Sequence, residues 1–170
     1  MFQSRRTRLT SGVLCVALAA VYSAGLPRTS NALAPVQGGT GEVCASSGGS
    51  GLTTIGHDHV FNVSDEDVVV RSLDFAVPGI EVLEWSFLPV EWTGGVVWGD
   101  QLGPGEGSRR IEAGAERLVV MVVRMDAAVQ PPAVAPVLTY EEEDGTPGTV
   151  QLSWRVTMAP RGVTCDLGAP

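Results

Sequence analysis

Nine residues near the C-terminus, Val150–Met158, alternate between apolar and polar without a break. Val150, Leu152, Trp154, Val156 and Met158 fall on one face of an extended chain, and Gln151, Ser153, Arg155 and Thr157 fall on the other. Successive side chains of a strand point to opposite sides, so the pattern predicts a β-strand with one face in a core and one in water. On a helix the same five apolar residues would scatter around the axis. Such a strand needs partners, and the rest of the chain has to supply them.

The preceding sequence is a series of short β-rich runs punctuated by glycine and proline. Leu52–Val63 predicts a first strand, Ser64–Asp67 a polar turn, and Val68–Val77 a second strand ended by Pro78-Gly79. Ile80–Trp92 changes face partway: Leu83, Trp85 and Phe87 share one side, Leu88, Val90 and Trp92 the other, which implies a bulge or break near Pro89. Leu118–Val123 is apolar on both faces, as suits a central strand covered on both sides or one whose second face meets a neighbouring loop. Ala127–Pro136 holds three prolines and reads as a loop or edge segment. The Asp144–Gly148 turn predicts a hairpin pairing Val137–Tyr140 with Val150–Met158. Seven or eight strands and no helix are expected in one all-β, two-sheet sandwich over residues 52–167. Residues 33–51, rich in Gly and Ser, are expected to form a flexible lead-in pinned at Cys44.

The N-terminus has a different character. Met1–Thr10 carries three arginines and no acid, and Ser11–Leu26 is uncharged and mostly apolar. That combination predicts a signal peptide helix over residues 1–32, with Ser30 and Ala32 as the small residues before the cut. The apolar run is short against the roughly 20 residues of a membrane span, so the membrane is a partner only if the signal stays uncleaved. Leu14, where a lipoprotein signal needs a small residue, excludes lipidation at Cys15. The expected location is secreted or extracytoplasmic. Once Cys15 is removed, Cys44 and Cys165 remain, an even pair suited to a disulfide in an oxidising compartment. The chain's net charge is −8; without the four arginines of residues 1–32, seven basic residues face nineteen acidic ones, a net charge of −12. Such a surface repels phosphate backbones, so no nucleic-acid partner is expected.

Few residues offer chemistry. His57 and His59 are the two histidines of the chain. At positions i and i+2 of a strand they would share a face and reach one Zn²⁺ or Cu²⁺, although a stable site needs three or four ligands. Two surface histidines are the simpler reading, so no cofactor is expected, with Zn or Cu as the alternative. Asp65–Asp67 and Glu141–Asp144 offer oxygen ligands without the spacing of a calcium loop, and read as solvated turn charges. Of the four tryptophans, Trp85, Trp92, Trp98 and Trp154, the last belongs to a core by its alternation. Trp92 and Trp98, flanking Gly94-Gly95, are the candidates for a surface that takes a protein or carbohydrate at the cell exterior, with core packing as the simpler role. Asn62-Val63-Ser64 matches the pattern of an N-glycosylation acceptor. There is no Gly-x-Ser-x-Gly elbow and no phosphate-binding loop, and enzymatic activity is not expected.

Arg109–Met125 (RRIEAGAERLVVMVVRM) followed by Val137–Met158 (VLTYEEEDGTPGTVQLSWRVTM) resembles the last strands of immunoglobulin-like domains in exported bacterial proteins, many of them uncharacterised. The resemblance covers about the last third of the chain and implies an immunoglobulin-like sandwich. In that family the usual disulfide joins two mid-domain strands around a tryptophan, whereas Cys44 and Cys165 lie near the two ends of the domain. The expected function is an exported binding or structural module; the alternative is an exported metal-binding protein using the His-Asp-His segment.

Overall fold

The β-branched and apolar runs become eleven strands in the computed structural model, which describes residues 28–36, 41–47, 50–91, 95–98, 108–126 and 128–165. The signal helix expected over residues 1–32 falls almost wholly outside them. In chain order the strands are β1 (Leu33–Pro35), β2 (Gly41–Ser46), β3 (Leu52–Asn62), β4 (Val68–Asp74), β5 (Ile80–Leu88), β6 (Gly95–Trp98), β7 (Arg110–Ile111), β8 (Glu116–Met125), β9 (Val137–Glu142), β10 (Pro147–Gln151) and β11 (Trp154–Ala159). No helix is present among the described residues, and so none long and apolar enough to cross a membrane.

Two antiparallel sheets face each other. One runs β1-β3-β8-β5, with β6 beside β1 on the outer side of β3; the other runs β10-β9-β4-β7. A parallel pair, β2 with β11, completes the second layer. The architecture is an immunoglobulin-like β-sandwich, all-β as the strand patterns imply.

The centre is β8. Its residues Leu118–Val123 are all buried, as a strand flanked by β3 and β5 and covered on both faces requires. Its inward row, Val119, Met121, Val123 and Met125, spans two core clusters. One cluster joins Val119 to Val60, Val70, Leu138, Tyr140 and Leu152. The other joins Met121, Val123 and Met125 to Ile55, Val43, Val156 and Met158. The outward row, Leu118, Val120 and Val122, packs with Leu88.

Three sequence expectations need correction. Within residues 33–51, expected to be a flexible lead-in, the described segments 33–35 and 41–46 are strands: β1 pairs with β3, and β2 pairs with β11, burying Leu33, Val43 and Ala45. Strands of three and six residues carry too few alternating residues to show a period. Second, the nine-residue run Val150–Met158 is two strands rather than one. Its hairpin half pairs with β9 as expected, Val150 opposite Leu138, and then the chain leaves that sheet at Leu152–Ser153. The cause lies across from it: Pro131, Pro132 and Pro136 have no amide to extend the β9 ladder, which thins to the Leu152 amide donating to the Pro136 carbonyl at 2.9 Å and a bridge between Val134 and Val156. The second half finds its backbone partner in β2, a parallel pairing. Val150, Leu152, Val156 and Met158 all face the core, but in β11 the other face is enclosed as well: Thr157 is buried, its hydroxyl donating to the Pro131 carbonyl at 2.5 Å. Third, the face change in β5 sits at a bulge between Val82 and Glu84, upstream of Pro89, and leaves Leu83 exposed at 42%.

Buried polar groups fix the registers. Asn62 is fully buried; its amide nitrogen donates to the carbonyls of Glu66 (2.8 Å), Ile111 (3.1 Å) and Glu112 (3.2 Å), and its Oδ1 accepts from the Ser64 amide (3.1 Å) and hydroxyl (2.7 Å). One side chain thus joins the end of β3 to its following turn and to the β7–β8 turn. The glycosylation pattern at Asn62 is therefore a sealed structural element. Tyr140, equally buried, lies over Gly148, where an added Cβ would sit 2.3 Å from the ring; only glycine leaves that space. At Gly41 a Cβ would likewise meet the Trp154 ring at 2.3 Å, so glycine lets β2 approach β11 under the indole.

Replacing Asn62 by Ala strips three carbonyls of their donor, that of Ile111 buried and those of Glu66 and Glu112 partly so, and should lower unfolding stability by on the order of 2 kcal/mol in urea titration. Asn62→Asp should cost more, since it sets a carboxylate oxygen against those carbonyls. A loss below about 1 kcal/mol for both would show that Asn62 is not a hub.

Candidate functional site

The His-Asp-His segment lies on β3, where the register with β8 shifts between Gly56 and Asp58. Ile55 faces the core before the shift and Val60 after it, five positions apart, so the bulge reverses the parity of the strand. The shared face expected for His57 and His59 depends on unbroken alternation, which the bulge interrupts. The backbone of His57 is placed, but its side chain lies outside what the structure describes. His59 is half-buried, and its Nδ1 lies 2.8 Å from Glu116 Oε1, with the ring N–H donating to the carboxylate. In the neutral ring this leaves the lone pair on Nε2, the arrangement in which a carboxylate orients a metal-ligating histidine. Among the described residues no group of three or more His, Cys, Asp or Glu side chains is gathered to hold an ion.

The residue between the two histidines has a structural role. Asp58 is buried at 7% and accepts the Trp154 backbone N–H at 2.8 Å. It lines a cavity of about 20 Å³ between the sheets, with Ile55, Val119, Met121, Leu152 and Trp154, roughly the size of one water molecule. The β3 bulge turns this carboxylate inward, where it anchors the first residue of β11. No sequence signal marks it, because an acid between two histidines on a strand reads as solvent-facing.

The two acidic runs converge. β4 pairs with β9 so that Val68 faces Glu142, which brings Asp65–Asp67 beside Glu141–Asp144 at one end of the second sheet. Arg110 bridges them, its Nε donating to Asp67 at 2.7 Å and its terminal nitrogen to Glu143 at 3.1 Å. The Ala113 amide, donating at 2.8 Å, and then Arg110 hold the Asp67 carboxyl below its usual range. Partial desolvation, followed by the negative field of Asp144, Glu143, Asp65 and Glu142, raises Glu66. Asp144 is lowered by hydrogen bonds from Thr146, so this run caps its own turn. These carboxylates serve turn and strand ends, as expected of solvated turn charges.

Of the binding-surface candidates, Trp92 lies outside the described residues. Trp98 has its backbone in β6 opposite Thr53, and its side chain is not described. Trp85 and Trp154 are half-buried and pack on the core. Trp85 carries the Arg109 guanidinium 4.3 Å above its ring and meets Phe87 edge-to-face at 5.8 Å. Cys44 and Cys165 are bonded, with Cα atoms 5.7 Å apart.

No protein-family model matches the chain, and no curated protein does. Among solved structures it is similar to the VesB protease of Vibrio cholerae at 11% identity and a TM-score of 0.41, covering 76% of this chain and 32% of that one. It is also similar to the ASH / PapD-like domain of human CEP192, at 11% identity and 0.38, covering 98% and 99%. The cupredoxin domain of amoB from Nitrosocaldus yellowstonii follows at 10% and 0.26, covering 70% and 62%. The chain thus spans about a third of the length of VesB.

The acidic end makes stability depend on pH with two opposite signs. The Asp67 carboxyl is depressed in the fold, so its contribution is present above an unfolded value near 4 and is lost as pH falls through the lower folded value. Glu66 is raised, so its contribution is present below its unfolded value and disappears as pH rises through the folded one. Asp67→Asn removes the first alone. Urea midpoints between about pH 5 and about pH 2 should fall less steeply for the variant than for the parent; parallel curves would remove Asp67 from the acid response.

Proposed function

We propose that the chain is an exported, disulfide-closed immunoglobulin-like module that works by binding or as a structural unit at the cell exterior, with a protein or carbohydrate as partner. The observation that carries this reading is the Cys44–Cys165 bond, which ties β2 to the tail beyond β11 across 121 residues. Disulfides persist in oxidising compartments, and closing a loop of that length removes unfolded-state entropy worth about 5 kcal/mol. The basic and then apolar N-terminus points the same way, and the patch of Trp92–Trp98 is the surface to search for the partner. A second reading, metal binding through His57 and His59, draws support from the Glu116 carboxylate that orients His59.

Intact mass and elemental analysis of native protein from the medium and the membrane fraction separate the two. The module reading expects a processed species two hydrogens light, without stoichiometric metal, and unaffected in partner binding by His57→Ala with His59→Ala. Stoichiometric Zn or Cu, lost in that double variant, would replace it with the metal reading. A protein found reduced and intracellular would overturn both.

A further inference from the structure

We propose that export processing cuts this chain before Arg28, at Ser23-Ala24-Gly25, and that residues 30–35 remain in the mature protein as a strap that closes one side of the sandwich. The inference rests on the export reading above and relocates its cut from Ala32.

The strap touches both sheets within six residues. Ser30 bridges in parallel to Gly148 on the outer edge of β10, its amide donating to the Pro147 carbonyl at 2.7 Å. Three residues on, Leu33 pairs with Asn62 on β3, in the opposite sheet. Between them the Ala32 carbonyl accepts the Val63 amide at 2.7 Å. The strap covers the edge of β10 and part of the edge of β3, where an unpaired strand would otherwise present its backbone to solvent or to another chain.

The same residues complete the core. Ser30, Ala32 and Leu33 are 6%, 4% and 5% exposed. The Tyr140 hydroxyl, fully buried, accepts from Ser30 Oγ and from the Leu33 amide, each at 3.2 Å, and Ser30 Oγ also accepts the Ala32 amide at 3.0 Å. A cut after Ala32 would remove Ser30 and Ala32 and turn the Leu33 amide into a charged ammonium at a buried position, a costly change without a compensating anion. Folding follows cleavage during export, so the fold cannot block such a cut, but its product would lack part of its own core.

Upstream, Ser23 and Gly25 place small residues at the −3 and −1 positions at the C-terminal end of the apolar run. A signal peptidase would hydrolyse the Gly25–Leu26 bond: water supplies the hydroxyl of the new Gly25 carboxyl group and the proton of the Leu26 amine. Arg28 is then retained, and its charge is among the influences that hold Asp144 low, at the turn leading into β10.

Two measurements test this. Intact mass of the protein exported by cells expressing the full chain should give a start at Leu26, and Gly25→Arg should abolish that product; a start at Leu33 overturns the proposed cut. Separately, two oxidised forms beginning at Leu26 and at Leu33 are compared by thermal melting. The shorter should melt lower by on the order of 10 °C; equal melting overturns the strap. An uncut chain retained inside cells would overturn the export reading and the cut together, while the melting pair still decides the strap.

Discussion

The structure depends on one row of side chains. Val119, Met121, Val123 and Met125 form the inward face of β8, and both core clusters are built against that face. β8 holds this place because it is hydrogen-bonded on both edges, by β3 and β5, and apolar on both faces. Burial of each such side chain stabilises by about 1.5–3 kcal/mol, and a strand tied on four sides cannot slip without breaking all of it. The two halves of the second layer, the four-stranded sheet and the β2–β11 pair, are then free to differ in partner and direction.

Polar groups decide how those halves meet. Apolar contact is non-directional and would tolerate several alignments. Asn62, Asp58 and Tyr140 are directional, and each links elements far apart in sequence: β3 to the β7–β8 turn, β3 to β11, β9 to residues 30–33. Among the described residues every buried side-chain nitrogen or oxygen has a partner. A satisfied buried network selects one register, because any shift strands its donors and acceptors. The Cys44–Cys165 bond then closes the β2–β11 pair covalently, at the point where the parallel pairing is a mere six residues long.

The surface has a separate logic. The acidic residues collected at one end of the second sheet are tied to Arg110, to backbone amides and to their own turns, so their charge is committed to holding loops. Within the His-Asp-His segment the central acid is structural, holding the Trp154 amide. The binding or structural role proposed for the module therefore draws on its disulfide rather than on these charges.

Sequence alone determined the fold class, through alternation in Val150–Met158, two-sided apolarity in Leu118–Val123 and the turn at Asp144–Gly148, because burial on a strand leaves a period of two that needs no knowledge of the partner. It also singled out the cysteine pair by elimination. Tertiary structure alone decided the rest. The break at Leu152–Ser153 depends on prolines twenty residues away across the ladder. The strands at 33–35 and 41–46 are too short to show a pattern and exist because β3 and β11 offer open edges. Asp58 became an internal anchor, and Asn62 a sealed hub instead of a glycosylation acceptor, because a bulge turns the one inward and the distant β7–β8 turn closes over the other. A local pattern records which face is buried; which edge, which partner and which polar atom is enclosed are set by long-range contacts that leave no local period.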